Sequence, residues 1–470
     1  MLKNYTYKIA AVALSTTLFF SSCEEELLEY EPENVLLEED AIQTKEDLEL
    51  LLNAAYEVTA NGFNGQSQNL HELLSDNLEA PDNQDDYIQV YNRRADIFNG
   101  SVEAYYKEPH FAINRANVIR ESVDLVSGVS AADRARLIAE ADFLRAISLF
   151  DVVLLWAQPY GYTPNNTHPG LAIPYEDSRQ PLPRSSVQAV YDYVITNLET
   201  AIPNLPDVNP GYATSWAAKA LLAKVYFQMG EYQLAVQNAD DVLNNGPFQF
   251  ETSDSLGFDR FLTGQIHPEA IYTTVSSNTG NDNRSGGYTG NWRKGNQPTL
   301  TVSQDFINFY FPSGLDTANN SDKRVRWFTV LNEGQPNQRF SCDKFDKDYF
   351  NIPLLHVTDL KLLRAEAIAL SGGNIATAVQ DLRDIQTRAN SFEQIADSPS
   401  IEELLRQIRY ERRLEMIGEG DRLRQLKRRG AIEGEDIVIR GADWDCNGMV
   451  LQFPNEELSE IFELNPQGGC

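Results

Sequence analysis

Apolar residues recur along this chain in one clear rhythm, interrupted by long stretches with none. In the rhythmic stretches they return every three or four positions, the spacing that lines one face of an α-helix. Leu48, Leu51, Leu52 and Ala55 set such a stripe in 44–58, and Ala139, Phe143, Ala146, Leu149, Phe150 and Val153 set it in 131–156. Val187, Val190, Tyr191, Val194, Leu198 and Ile202 continue it over 186–202, with Ser185 or Ser186 placed to cap the helix start. Further helices are predicted over 104–126, over 215–244 with a break at Gly230, over 358–389 with a break at Gly372-Gly373, and over 401–429. Between them, 61–99 is rich in Asn, Asp, Gln and Gly, 158–184 is rich in Pro, and 246–354 is rich in Gly and Asn. These stretches and 430–470 read as loop. A loop as long as 246–354 is uncommon inside a compact domain and tends to carry function. The insertions fall between helical pairs, so they are expected to gather into one irregular lobe.

One helical pair carries a repeat signature. From Lys219, KALLAKVYFQMGEYQLAVQNADDVLNNGP places Leu222, Ala223, Tyr226, Gly230, Tyr232, Ala235 and Pro247 where tetratricopeptide repeats put their large, small, aromatic and turn residues. Ala223 and Ala235 let two helices approach closely, and Tyr226 packs across them. A looser copy has Ala365, Ala369, Gly373, Ile375 and Ala378. One pair cannot bury its apolar face alone, so more are expected, and 131–156 with 186–202 supplies one. The fold class is therefore mostly α: a tetratricopeptide-like superhelix with a large loop-rich lobe.

The beginning of the chain adds a destination. Lys3 and Lys8 precede an apolar run from Ile9 to Phe20, then Ser21, Ser22 and Cys23, the order of a secretory signal. The run is shorter than the ~20 residues a membrane-spanning helix needs. Phe20-Ser21-Ser22-Cys23 resembles the lipobox of bacterial lipoproteins, with Phe20 where Leu is more usual. The resemblance implies that 1–22 are removed and that Cys23 carries a diacylglycerol membrane anchor. A plain secreted protein with an incidental cysteine is the alternative. Glu24, Glu25 and Glu26 resemble the surface-export signal of Bacteroidetes lipoproteins, and 23–43 reads as an acidic tether.

Charge and cysteines narrow the classes further. There are 39 Lys plus Arg against 69 Asp plus Glu, a net charge of −30. That argues against a nucleic-acid partner, which needs basic surface, and disfavours adsorption to anionic lipid. Cys342, Cys446 and Cys470 allow one bridge, with Cys446–Cys470 the preferred pairing and three free thiols the open alternative. His71, His110, His168, His267 and His356 are scattered, without HExxH or Cys/His spacing, so no metal site or cofactor is expected.

Taken together, five blocks resemble the SusD/RagB family of nutrient-binding lipoproteins. They are AEADFLRAISLFDVVLLWAQPYG, PRSSVQAVYDYVITNLETAI, ATSWAAKALLAKVYFQMGEYQLAVQNADDVL, DLKLLRAEAIALSGG and IRYERRLEMIGEGDRLRQLKRRG. The chain closes with Phe453-Pro454, Glu457-Leu458 and Asn465-Pro466, as that family does. The resemblance covers nearly all of 44–470. It implies about four tetratricopeptide pairs (mainly 104–156, 186–245 and 358–429) and an irregular lobe (61–99, 246–354 and 430–470). It also implies a lid over a SusC-like TonB-dependent transporter in the outer membrane, facing the cell exterior, and no catalysis. The terminal Gln467-Gly468-Gly469-Cys470 and the run Met416-Ile417-Gly418 depart from the pattern.

For the ligand, carbohydrate binding needs aromatic faces together with amide or carboxylate partners. Two loops hold that mixture. One offers Asn83, Asp85, Tyr87, Tyr91 and Arg93; the other offers Asn281, Asp282, Asn283, Tyr288, Trp292 and Arg293. Trp292, directly after Gly290 and Asn291, is the leading candidate, the alternative being that it covers the lobe's own core. Trp156, Trp216 and Trp444 read as packing residues, and Trp327 is undecided. Asn281-Asp282-Asn283 reads as a turn rather than a Ca²⁺ loop. The Arg409–Arg422 block reads as a structural ion network, with Glu411 and Glu415 pairing Arg412 and Arg413 along a helix. An oligosaccharide is the expected ligand. A peptide, a surface glycoside hydrolase and a protein-binding scaffold are the competing readings.

Overall fold

The structure, a computed structural model, describes residues 42–174, 181–279 and 282–470. The signal, Cys23, most of the tether and Asn281 lie outside the described residues. Four antiparallel helix pairs run in succession: α1 (Lys45–Gly62) with α4 (Gly100–Ser122), α5 (Ala131–Trp156) with α6 (Val187–Ala201), α7 (Ser215–Met229) with α8 (Tyr232–Asn245), and α11 (Val357–Ser371) with α12 (Ile375–Ala389). Each pair packs on the next, α4 on α5, α6 on α7 and α8 on α11; one apolar core runs along the first three pairs and onto α11, and a second, smaller one sits within the fourth pair. Two last helices, α13 (Ile401–Glu415) and α14 (Arg422–Glu433), close it.

Local sequence sets these boundaries. Thr44 and Asp47 form a reciprocal capping box on α1, and Ser130, Ser186, Thr214 and Ser400 cap α5, α6, α7 and α13. The α7–α8 turn is tightest at Gly230, whose φ of 79° ends α7 in the left-handed region. A Cβ there would stand 2.6 Å from Ile432 Cγ2, so the position needs glycine for space as well. The basic block, expected as one long helix, is two helices separated by residues 416–421.

The insertions differ from expectation in structure and place. The first two split pairs from within, and only 246–354 falls between pairs. Its ends are stitched by a short antiparallel ladder, β1 (Ala270–Thr274) against β4 (Ile352–His356), just before α11. Between them lie α9 (Gly286–Trp292), α10 (Gln304–Tyr310) and the hairpin β2 (Phe328–Leu331)–β3 (Arg339–Cys342). The expectation that 61–99 is loop is overturned, since it folds as α2 (Gln66–Leu74) and α3 (Asp85–Tyr91). Its polar residues point inward: Asn69, His71, Glu72 and Asn77 are all buried. Asn69, Glu72 and Asn77 are satisfied by one another and by neighbouring backbone, and His71 faces Asp151, which hides the helix from any hydrophobic periodicity. Residues 430–470 add a two-residue hairpin, β5 (Val438–Ile439) and β6 (Ala442–Asp443). Cys446 and Cys470 form a disulfide, and Cys342 is a buried free thiol.

Candidate functional site

The two loops singled out by sequence do meet, but inside the protein. Asn69 of α2 joins them: its Nδ2 donates to the Tyr87 hydroxyl (3.2 Å) and the Gly287 carbonyl (3.0 Å), while its Oδ1 accepts from Trp292 Nε1 (2.8 Å). Trp292 is 0 % exposed and packs on Phe345. Tyr288 stacks on the same ring at 4.3 Å and donates to the Gly418 carbonyl. Trp292, Tyr288 and Tyr87 are therefore core residues of the lobe and not surface platforms. A glycine- and asparagine-rich loop is open to burial when another segment supplies its polar atoms with partners, as α2 does here.

The other candidates scatter. Asn83 and Asp85 are exposed. Tyr91 lies under the Arg440 guanidinium at 3.8 Å. Asp282 leans towards Arg284, Asn283 accepts from the Ser285 backbone, and Arg293 pairs with Asp348. Arg93 is buried and donates to the Ile439 carbonyl. Trp156 and Trp327 are buried with their indole N–H groups bonded to Gln452 and Phe258 carbonyls, while Trp216 and Trp444 are partly buried.

The basic block is a structural network, but its pairs are not along its own helix. Glu415 meets Arg260, Arg324 and Arg388, and Glu411 meets Arg324. Arg412 bridges Asp359 and Asp421, and Arg413 and Arg422 share Asp76. Burial pushes the Glu415 carboxyl up, yet Arg388, Arg260 and Arg324 outweigh it and hold it down at about 2. Helix-internal pairing loses because both members are desolvated and need several partners each, which only other segments can supply.

The structure offers a surface cleft of about 440 Å³ that the sequence reading missed. Glu49, Leu52, Asn53 and Tyr56 form one wall, since positions three, four and seven apart share a helix face. Arg136 and Glu140, one turn apart on α5, form the floor and pair at 2.7 Å. Tyr56 donates to Glu140 at 2.6 Å and accepts from the Ala213 N–H at 3.0 Å, pinning the third wall, residues 206–213. Burial first, and the Glu140 carboxylate second, raise the Tyr56 hydroxyl well above its ordinary value, so it stays a donor.

That third wall has a readable cause. Asn209-Pro210-Gly211-Tyr212 closes a turn through the Tyr212 N–H to the Asn209 carbonyl (2.9 Å), with Gly211 at φ +84°. Proline second and a positive-φ glycine third is the signature of a type II turn. The turn presents Tyr212, 40 % exposed, with its ring edge-on to Tyr56 at 4.7 Å. Across Tyr212 and Val208 the cleft adjoins a second, apolar one of about 260 Å³, lined by Pro247, Phe248 and Ile266. An exposed aromatic ring beside amides and paired charges is chemistry for holding a polar ring or chain.

A tetratricopeptide-type array carrying an irregular lobe and an open aromatic cleft defines a binding protein in form. Residues 26–227 match the family model described as starch-binding and associating with the outer membrane, and residues 272–443 match the SusD family model. The chain belongs to the SusD/RagB family. It is 24 % identical to SusD-like protein P38 of Formosa agariphila over 476 residues, covering 91 % of this chain and 92 % of that one. It is 25 % identical to a SusD-like protein of Bacteroides ovatus over 52 % of this chain and 45 % of the relative. Among solved structures, a SusD superfamily protein of Bacteroides vulgatus matches with a TM-score of 0.77 at 20 % identity, covering 90 % of this chain and 99 % of that one. A laminarin-binding SusD-like protein matches with a TM-score of 0.67 at 20 % identity, covering 90 % of this chain and all of that one. The family associates with the outer membrane, and no helix among the described residues is long and apolar enough to cross one.

Proposed function

We propose that this protein is a cell-surface lipoprotein, anchored through acyl chains on Cys23, that captures an oligosaccharide and passes it to a SusC-like TonB-dependent transporter. It binds and does not catalyse. The observation that carries the reading is the cleft around Tyr212, where an exposed ring stands beside Asn53, Asn209 and the Arg136–Glu49–Glu140 group. Aromatic faces stack on sugar rings, and amides with carboxylates take hydroxyls. The starch and laminarin named for the matching family and for one structural neighbour support glycans as the first ligands to try. One observation favours a peptide instead: the adjoining apolar cleft of Pro247, Phe248 and Ile266 suits aliphatic side chains.

Calorimetric titration with maltohexaose, laminarihexaose and a tryptic casein digest tests the reading. A glycan is expected to bind, and Tyr212→Ala to lose about tenfold in affinity, the worth of roughly 1.4 kcal/mol of stacking. Binding of the digest alone would select the peptide reading, and glycan binding untouched by Tyr212→Ala would remove this cleft. Cys23→Ser is expected to release the protein from the membrane fraction; retention there would refute the anchor.

A further inference from the structure

A second cavity, of about 390 Å³, is bounded by residues 93–96, 447–452 and 465–469. Its size lies within the roughly 300–1,000 Å³ of small-molecule sites. Arg93 and Arg94 both line it. Arg93 is only 8 % exposed; its guanidinium gives one N–H to the Ile439 carbonyl, and its Nε is buried without a partner. Neither arginine is ion-paired among the described residues. In a chain of net charge −30 every other buried arginine among the described residues is ion-paired, from Arg145 with one acid to Arg324 with three. The nearby Asp96 also lines the cavity, and its Oδ1 accepts from the Phe98 N–H.

The cavity is built, not left over. Arg93 has a φ of +59°, a strained conformation for a residue with a side chain. Gly448 and Gly469 press on its carbonyl from two segments, and a Cβ on either would come within 2.4 and 2.9 Å of that oxygen. The tail Gln467-Gly468-Gly469 forms one wall and is tied down by the Cys446–Cys470 disulfide. Burial, with Arg440 second, pulls the Arg93 guanidinium down to about 10, so it remains charged at neutral pH.

We propose that this cavity binds a carboxylate-bearing sugar unit, a uronic acid by class, with the Arg93–Arg94 pair receiving the carboxylate. A guanidinium matches a carboxylate fork for fork, which a neutral hydroxyl cannot exploit. The volume exceeds what a bare inorganic anion fills, and the lining includes Asn447 and Gln467, residue types that hydrogen-bond ring hydroxyls. The negative charge of the rest of the protein does not forbid this, since at physiological salt its reach is only about 8 Å. The proposal does not depend on the glycan reading of the Tyr212 cleft.

The test is calorimetric titration of the purified protein with D-glucuronate, D-glucose and inorganic sulfate. Glucuronate is expected to bind saturably, with glucose and sulfate at least tenfold weaker. Arg94→Ala and Arg94→Glu, at an exposed position, are expected to lose at least tenfold for glucuronate with an unchanged melting temperature, and Tyr212→Ala to lose nothing. Arg93 is left intact because its guanidinium also holds the Ile439 carbonyl. No binding of glucuronate overturns the proposal. So does equally tight sulfate, which marks an anion site without a sugar, and so does full affinity in Arg94→Ala.

Discussion

Trp292 and Tyr212 stand in similar surroundings along the chain, the one preceded by glycine and asparagine, the other by proline and glycine. In space they part. The Trp292 loop is met by α2, which supplies Asn69 for the indole N–H, and by Phe345, on which the ring packs. The Tyr212 turn is met by α1, which pins its backbone through the Tyr56 hydroxyl and touches the ring along one edge but leaves the residue 40 % exposed. The lesson is that loop composition does not decide whether an aromatic ring is a platform. What decides it is whether another segment brings partners for both the ring and the polar atoms around it.

The comparison can be broken in descending order of effect. Trp292→Ala removes a fully buried indole, takes the donor from Asn69 Oδ1 and should cost about 3–5 kcal/mol of stability by urea unfolding. A loss below about 1 kcal/mol would return Trp292 to the surface. Arg388→Ala strips one partner from Glu415 and Glu269 and should cost about 3–4 kcal/mol, because buried carboxylates are left uncompensated. The same network sets the acid limb. Glu415 is held at about 2 against an unfolded value near 4.3. Its contribution is complete above that unfolded value and is lost as pH falls towards 2, so melting temperature should drop across that window.

A subtler test sits next to Asn69. Burial raises the Glu72 carboxyl to about 7, although hydrogen bonds from Asn77 and the Gly420 N–H pull it back. A carboxyl whose folded value is raised takes stability away as pH climbs from about 4.3 through 7. Glu72→Gln should therefore match the wild type near pH 4 and melt higher at pH 8. Parallel pH profiles would show that Glu72 is not the shifted group. The smallest change of stability is expected at Tyr212→Ala, within about 0.5 kcal/mol, alongside its tenfold loss of glycan affinity. A large destabilisation there would mean that the ring is structural, as Trp292 is.

The helical array was legible because its stripes and caps are local: Ala139 to Val153 on one face, Ser130 and Ser186 at the starts, Gly230 at the turn. The Cys446–Cys470 pairing stood as a preference and is formed. The polar helix α2 was not legible, since Asn69, His71, Glu72 and Asn77 face inward to partners up to some 350 residues away, such as Gly420. Periodicity of apolar residues is blind to a helix whose buried face is polar. The basic block was rightly taken as structural, yet its partners Arg260, Arg324 and Arg388 lie on other segments and could not be paired by spacing. The Tyr212 cleft had a signal, Asn-Pro-Gly-Tyr, which names a turn and the ring it presents. What it lacked was any hint that α1 and α5 would frame it.

The ion network around Glu415 bears on how freely the molecule can be rebuilt. Its arginines come from the 246–354 insertion (Arg260 and Arg324) and from the fourth helix pair (Arg388), while its carboxylates come from α13 (Glu411 and Glu415) and from Glu269, just before β1. Repeat arrays are ordinarily modular, losing or gaining a unit at the cost of one interface. Here Glu415 draws two of its three arginines from the insertion, so excising or grafting 246–354 would leave charge uncompensated in the core. Such a chimaera should aggregate during refolding, and in the intact protein α11 to α13 should exchange their amide hydrogens together with the lobe, as one cooperative block.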